Sequence, residues 1–330
     1  MTSFSRIRIL VALAAVTLAG VGAGAPAQAH GHTDWASRLM ASGAAPRVAG
    51  SPPISPGFLL ERGRYVTLVV PGTRTETAAS GINDRGEIVG GFDRDADRHF
   101  HGYLRSPSGR YTVIDVPGAA GTVTTDINNR GQIAGFYSDV NPDAGRLEAQ
   151  SRGFLLDQGR LIRLDVPGAR RTLPLGVSDR REVIGLYDLS NDSVHGFRWK
   201  NGRFATFDAP GAAATAPFGI NNHGDVVGFL VPDPSVPVSR GFLLHNGRYT
   251  RFAVPGAPLT LATGINDRGQ ITGTSYPDVN QTSSRGFLLA RGVGGRFTSL
   301  AVPGASLTIA VGIDNQGRVV GNYTPTDAAP

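Results

Sequence analysis

Asp93, Asp95, Asp97, His99 and His101 crowd into one short stretch of the chain. The Asp-x-Asp-x-Asp spacing is that of the oxygen ligands in calcium loops, and Asp139-x-Asn141-x-Asp143 repeats it. Neither copy has the glycine at the sixth place or the downstream bidentate Glu, and Gly145 falls one residue late in the second. Two readings follow, a calcium site or a polar loop that bonds itself. His99 and His101 stand two apart, so an extended strand would project both from one side as a zinc or copper pair. The plainer reading is a surface loop with incidental histidines.

A second metal pattern depends on processing. Cleavage after Ala29 would leave His30-Gly31-His32 as a free amino terminus. Its amine, two backbone nitrogens and the third-position imidazole would make a square-planar set for copper(II) or nickel(II). Other catalytic signatures are missing from the sequence: no Gly-x-Ser-x-Gly elbow, no His-Glu-x-x-His, no phosphate-binding loop and no dinucleotide fingerprint. No catalytic residue is assigned, and no cofactor is required by the pattern, with calcium the one candidate. Catalysis stays open because acids from several repeats can converge without a local motif.

Residues that recur at one position point instead to recognition surfaces. Thr77, Thr122, Thr172, Thr215, Thr260 and Thr308 each stand five residues before an Ile or Val of a repeated motif. Six such hydroxyls are expected to ring a channel, suited to a sugar or ordered water, unless each bonds its own backbone. Arg64, Arg110, Arg160, Arg203, Arg248 and Arg296 share a turn position, and Arg85, Arg130, Arg180 and Arg268 add a second set. Such an array could bind phosphate or sulfate polymers, or simply form a solvated surface.

These residues are positioned by a repeat. Units open at Gly57, Gly102, Gly153, Gly196, Gly241 and Gly286, spaced by 45, 51, 43, 45 and 45 residues. Periods in the forties mark propellers. The unit from Gly241 shows four strands, Gly241 to Leu244, Tyr249 to Val254, Thr260 to Ile265 and Gln270 to Thr274. The Asn-Asp-Arg-Gly stretches (Asn83 to Gly86, Asn266 to Gly269) read as tight hairpins. Ser178-Asp179-Arg180-Arg181 lacks the glycine, so a positive φ at Arg181 would strain that turn and make its blade the least regular.

Pro71, Pro117, Pro167, Pro210, Pro255 and Pro303 each end a β-branched or aromatic strand. Proline cannot donate to a ladder, so these strands belong at sheet edges. The fold predicted is all-β, a six-bladed β-propeller closed by two strands from each end of the chain. Hairpins and arginines would lie on one face. The opposite, loop-rich face would carry Asp93, Asp139, Asp188, Asp233 and Asp278, and variable loops on a constant scaffold are where specificity resides.

The units Gly81 to Gly90 and Gly264 to Gly273 read Gly-Ile-Asn-Asp-Arg-Gly-Glu-Ile-Val-Gly and Gly-Ile-Asn-Asp-Arg-Gly-Gln-Ile-Thr-Gly. They resemble the probable extracellular repeat family named for a His-Ala-Phe tripeptide, the HAF repeat. The tripeptide itself has drifted to His101-Gly102-Tyr103, Arg152-Gly153-Phe154 and His195-Gly196-Phe197, with Arg240-Gly241-Phe242 and Arg285-Gly286-Phe287 after them. The resemblance covers Gly57 to the end. It implies an exported β-repeat protein and supplies no catalytic residues.

The ends and the composition agree with export. Arg6 and Arg8 precede an apolar run from Ile9 to Ala23 and the small-x-small triplet Ala27-Gln28-Ala29, so residues 1–29 read as a Sec-type signal peptide. Residues 30–56, rich in Ala, Gly, Ser and Pro, read as a flexible leader, and residues 57–330 as the propeller. No later stretch has the length of a membrane-spanning helix. The absence of cysteine excludes disulfides, thiolate metal sites and thiol catalysis. The net charge of +6 falls to +4 without Arg6 and Arg8, a mild excess that calls for no specific nucleic-acid partner. The expected product is a secreted or periplasmic monomer. Its leading function is non-catalytic binding of a glycan or cell-envelope polymer. A carbohydrate hydrolase or lyase using Asp93 or Asp139 with His99, and a scaffold for another extracellular protein through the arginine face, are the alternatives.

Overall fold

The computed structural model describes residues 55–73, 76–93, 100–139, 151–189, 194–233, 235–279, 281, 283–290 and 292–326. Six four-stranded antiparallel sheets stand in a ring, each running in strand order from the channel outward. Blade I has Thr77–Ile82, Ile88–Asp93, Phe100–Arg105 and Tyr111–Ile114; blade II has Gly121–Ile127, Ile133–Ser138, Ser151–Asp157 and Arg160–Leu164. Blade III has Arg171–Val177, Val183–Asp188, Val194–Lys200 and Arg203–Phe207; blade IV has Ala214–Ile220, Val226–Val231, Arg240–His245 and Arg248–Phe252. Blade V has Leu259–Ile265, Ile271–Tyr276, Arg285–Leu289 and Phe297–Leu300. Blade VI joins Ala305–Ile313 and Val319–Pro325 to Gly57–Glu61 and Arg64–Leu68 from the other end. There Phe58 opposes Gly321 and Leu60 opposes Val319. This is the expected two-plus-two closure, and the proline-terminated strands are the outer edges, as their missing donors require.

Each inner strand carries a bulge at the same place, at Ser80, Thr125, Leu175, Phe218, Thr263 or Val311, and the strand of blade VI has a second register shift between Ala305 and Leu307. A bulge adds one unpaired residue and re-aims its side chain; all six turn into the channel. The bent strand also passes close to its neighbour. A Cβ at Gly185 would sit 2.0 Å from the Leu173 carbonyl oxygen, so only glycine fits there. Between the two mouths the channel is plugged by an apolar cluster that includes Val123, Leu173, Ala216, Leu261 and Phe218. Smaller clusters lie between blades, for example Leu155, Val177, Phe197 and Trp199.

Arg181 does adopt φ of 60°, where Gly86, Gly131, Gly224, Gly269 and Gly317 hold 78°, 76°, 88°, 70° and 80°. Blade III is nevertheless regular, with the same register and bulge as its sisters. The strain stays in the turn because Arg181 is held from outside, by Asp157 at 3.4 Å and the Trp199 ring at 6.0 Å.

Candidate functional site

On the hairpin face, the second residue of each inner turn points at the channel axis. In order around the ring these are Asp84, Asn129, Asp179, Asn222, Asp267 and Asn315. Acid and amide alternate, and the alternation closes a hydrogen-bonded girdle. Asn129 Nδ2 donates to Asp84 Oδ2 at 2.8 Å and to Asp179 Oδ2 at 3.1 Å. Asn222 donates likewise to Asp179 and Asp267 at 2.8 and 2.9 Å, and Asn315 to Asp267 and Asp84 at 3.0 and 2.9 Å. Every Oδ1 accepts a backbone N–H from the preceding blade, at 2.7 or 2.8 Å. A carboxylate only accepts and an amide nitrogen carries two hydrogens, so strict alternation leaves no clash.

Below the girdle lies a cup of about 80 Å³. At about 10–15 Å³ per ordered water it has room for several waters, and it is too small for a sugar. Its floor is Leu175, Phe218 and Val311, and its polar wall is Ser80, Thr125, Thr263 and Asp126. Asp126 occupies the place held by Gly81, Gly176, Gly219, Gly264 and Gly312 in the other blades. Burial pushes its carboxyl up to about 7, against the N–H groups of Val177 and Ile127, which lower it, while Asp179 raises it further.

The six repeated threonines do not ring the channel. Their hydroxyls are buried and accept the backbone N–H of Val70, Val116, Val166, Ala209, Val254 and Val302, at 2.9 to 3.1 Å. Each thus fastens the end of one blade's outer strand to the next blade's inner strand. The recurring Asn is consumed in the same way: Asn83 Oδ1 caps the N–H groups of Arg85 and Glu87, and its Nδ2 reaches the Asn128 carbonyl of the next blade at 3.1 Å. Arg64, Arg110, Arg160, Arg203, Arg248 and Arg296 stand exposed at the start of the outer strands.

The loop-face aspartates each serve their own neighbourhood. Asp93 Oδ1 accepts the Glu76 N–H at 3.1 Å, and Asp139 lies 3.4 Å from Arg152. Asp233 Oδ1 accepts the N–H and hydroxyl of Ser235 at 2.8 and 2.7 Å, and the Asp278 carbonyl accepts the Gln281 N–H. Asp188 is 1% exposed and binds both Arg170 and Arg171. His101 pairs with Asp115 at 3.0 Å, as His195 does with Asp208 at 2.8 Å. Asp95, Asp97, His99, Asn141, Asp143, His30 and His32 lie outside the described residues. Among the described residues no three His, Asp or Glu side chains are grouped to hold a metal.

Symmetry breaks at the loop-side mouth. At one register pair, blades IV, V and VI carry Ala214 with Val231, Leu259 with Tyr276, and Leu307 with Thr324. Blades II and III carry Gly121 with Ser138 and Arg171 with Asp188, and blade I has Glu76 bonded to Asp93. Burial, and then the charge of Asp93, pushes the Glu76 carboxyl up to about 8. Beside this sector a cavity of about 270 Å³ opens between blades II and III, with Arg152, Arg170, Arg171 and Asp165 in its wall. The girdle and the charged sector were readable only by superimposing the six units and following one column at a time. Each then shows, as strict alternation or as a departure such as Arg171 or Asp126.

No family model matches the chain, and no curated protein matches it. Solved structures do. A putative TolB from Agrobacterium tumefaciens has a TM-score of 0.56 at 13% identity, covering 82% of this chain and 99% of that one. A gluconolactonase from Xanthomonas campestris (TM-score 0.45, 12% identity, 76% and 86% covered) is also similar. So is virginiamycin B lyase from Staphylococcus aureus (0.43, 11%, 77% and 86%). At these identities the likeness is one of fold, the β-propeller. Among the described residues no helix is long and apolar enough to cross a membrane.

Proposed function

We propose that this chain is an exported, non-catalytic binding propeller that recognises a glycan or cell-envelope polymer on its loop face, over blades I to III. One observation carries the reading: the repeated threonines and asparagines are spent on the scaffold, and the charged departures gather in one sector of the loop-side mouth. Glu76, Asp93, Arg171 and Asp188 stand there where the other half of the ring has Ala214, Val231, Leu259 and Tyr276. Desolvating ionisable groups is costly and gives no stability over a well-packed apolar pair, and Arg171 and Asp188 are buried, so the confinement of these groups to one sector supports a ligand there. The resemblance to HAF repeats and the signal-like residues 1–29 support export.

The test is capture of cell-envelope polysaccharides and a glycan array by the mature protein. Wild type should retain a polymer, and Asp93→Asn and Arg170→Ala should weaken retention while melting normally. Failure of wild type to retain any glycan would overturn the proposal. One feature favours the enzymatic alternative: Glu76 keeps its proton up to about pH 8 beside Asp93, the state a general acid needs. New reducing ends or unsaturated sugars released from a bound polymer, and lost in Glu76→Gln, would make the chain a hydrolase or lyase.

A further inference from the structure

We propose that the hairpin face docks on an anionic lipid surface, setting its arginines against the phosphates of a bilayer while the loop face points away; this is independent of what the loop face binds. Among the described residues, positive charge without a partner gathers on this face. Arg64, Arg110, Arg160, Arg203, Arg248 and Arg296 ring its rim, one per blade, and Arg130, Arg180 and Arg268 stand on the inner hairpins. All of these residues are exposed, and among the described residues none of their side chains has an ion pair, a hydrogen bond or a ring contact. The acids of the same face are already taken: Glu87 by Arg85, Asp157 by Arg181, Glu182 by Lys200, Asp225 by His245 and Asp314 by Arg318. Asp84, Asp179 and Asp267 are held in the girdle.

The sheets draw nothing from the charge of the rim arginines. In blades VI, II, III and IV the outer turn is one and the same two-residue hairpin, with both residues at positive φ: Arg62-Gly63 at 49° and 77°, Gln158-Gly159 at 50° and 79°, Asn201-Gly202 at 52° and 80°, and Asn246-Gly247 at 48° and 76°. The arginine after each turn faces Glu61, Asp157, Lys200 or His245 across the ladder. Glu61 and Asp157 make no ion pair with it; Asp157 lies 3.4 Å from Arg181 and Glu61 3.9 Å from Arg318. Lys200 sets like charge opposite like, which costs stability. Arginine thus stands opposite acid, ammonium and imidazole alike and pairs with none of them.

The arrangement fits a plane of charge better than a single chain. Six arginines spread around the whole rim, with three more inside it, can all be met at once by a layer of headgroups, whereas a linear polyanion crosses only an arc of the ring. Tight turns make up this face. The longest outer turn, in blade V, is tied down, Gly292 N–H donating to the Gly269 carbonyl at 2.9 Å. The exposed large hydrophobic residues among the described ones, Val66, Val113, Val236 and Val279, all lie away from these turns. Docking would therefore rest on charge with no apolar insertion, additive over many weak contacts and released by salt.

The experiment is co-sedimentation of the mature protein with vesicles of phosphatidylglycerol and phosphatidylcholine in equal parts, with pure phosphatidylcholine vesicles as the neutral control and heparin as a linear polyanion. Wild type should sediment with the anionic vesicles and not with the neutral ones, and should be released as salt rises from about 50 to about 500 mM. Arg64→Gln, Arg160→Gln, Arg203→Gln and Arg248→Gln should each weaken partition about fivefold, and the four together should abolish it. Thermal melting confirms that the variants fold, as expected for exposed side chains that hold nothing. The same four positions changed to Lys should keep partition within about threefold of wild type, because a lipid surface reads charge. Wild type that ignores the anionic vesicles at low salt, or a folded fourfold Gln variant that partitions like wild type, overturns the proposal. Loss in the fourfold Lys variant as complete as in the Gln one would mean forked recognition of single phosphates and overturns the planar reading. Heparin bound more tightly than vesicles at equal charge concentration overturns the lipid assignment in favour of a linear polymer.

Discussion

Tyr103 fills the place taken by Phe58, Phe154, Phe197, Phe242 and Phe287 in the other repeats, and all six rings are buried. Among the described residues its hydroxyl has no hydrogen-bond partner, so the oxygen costs desolvation and returns nothing. Tyr103→Phe should therefore stabilise the protein by about 1–2 kcal/mol, read from the denaturation midpoint at unchanged slope. Glu76 makes the complementary case for a charge. Its carboxyl ionises at about 8 in the folded protein against an ordinary value of 4.5. Between those values the folded state holds a proton that the unfolded state has lost, so stability falls as pH rises. Glu76's contribution is complete below about pH 4 and gone above about pH 8. Glu76→Gln should flatten that decline: at pH about 9 the variant should melt a few degrees above wild type, and at pH about 4 it should match it. A variant that melts below wild type at the alkaline end would contradict the assignment.

At the scale of the strand, the threonines show how a position can look like a binding residue and be a fastener. Thr172 Oγ1 accepts the Val166 N–H at 3.0 Å, across the turn from one blade to the next. Thr172→Val keeps the shape and strands that donor, so it should cost about 1–3 kcal/mol and leave glycan retention, measured below the melting range, unchanged. The threonine column itself was legible in the sequence; its direction was not. The bulge puts Ser80, Thr125 and Thr263 into the channel in place of Thr77, Thr122 and Thr260. A one-residue insertion in a strand has no signature in a repeat that carries it six times, because every copy shifts alike.

The girdle belongs to the whole ring. Three acids and three amides alternate only if the number of blades is even, so the pattern agrees with six blades and would be broken by a seventh. Asp84→Asn would set amide against amide on both sides, replacing the acceptor for Asn129 and Asn315 Nδ2. It should destabilise the fold by about 2 kcal/mol or more. Exchanging acid for amide at all six positions at once restores alternation and should recover most of that loss. If the single and the sixfold variants melt alike, the girdle contributes no order-dependent stability.

Repeat count, strand order and closure were determined by the sequence alone, because they follow from local rules that each unit states separately: alternating apolar strands, tight turns at glycine, and prolines that can only sit at an edge. The same local rules anticipated the positive φ of Arg181. What only the tertiary structure decided are the relations between blades. Asp84 meets Asn129 and Asn315, 45 and 231 residues away, and Arg170 shares a wall with Arg152 from another blade. Such contacts arise when the ring closes and packs its inner strands side by side, and no single unit encodes which neighbour its side chains will face.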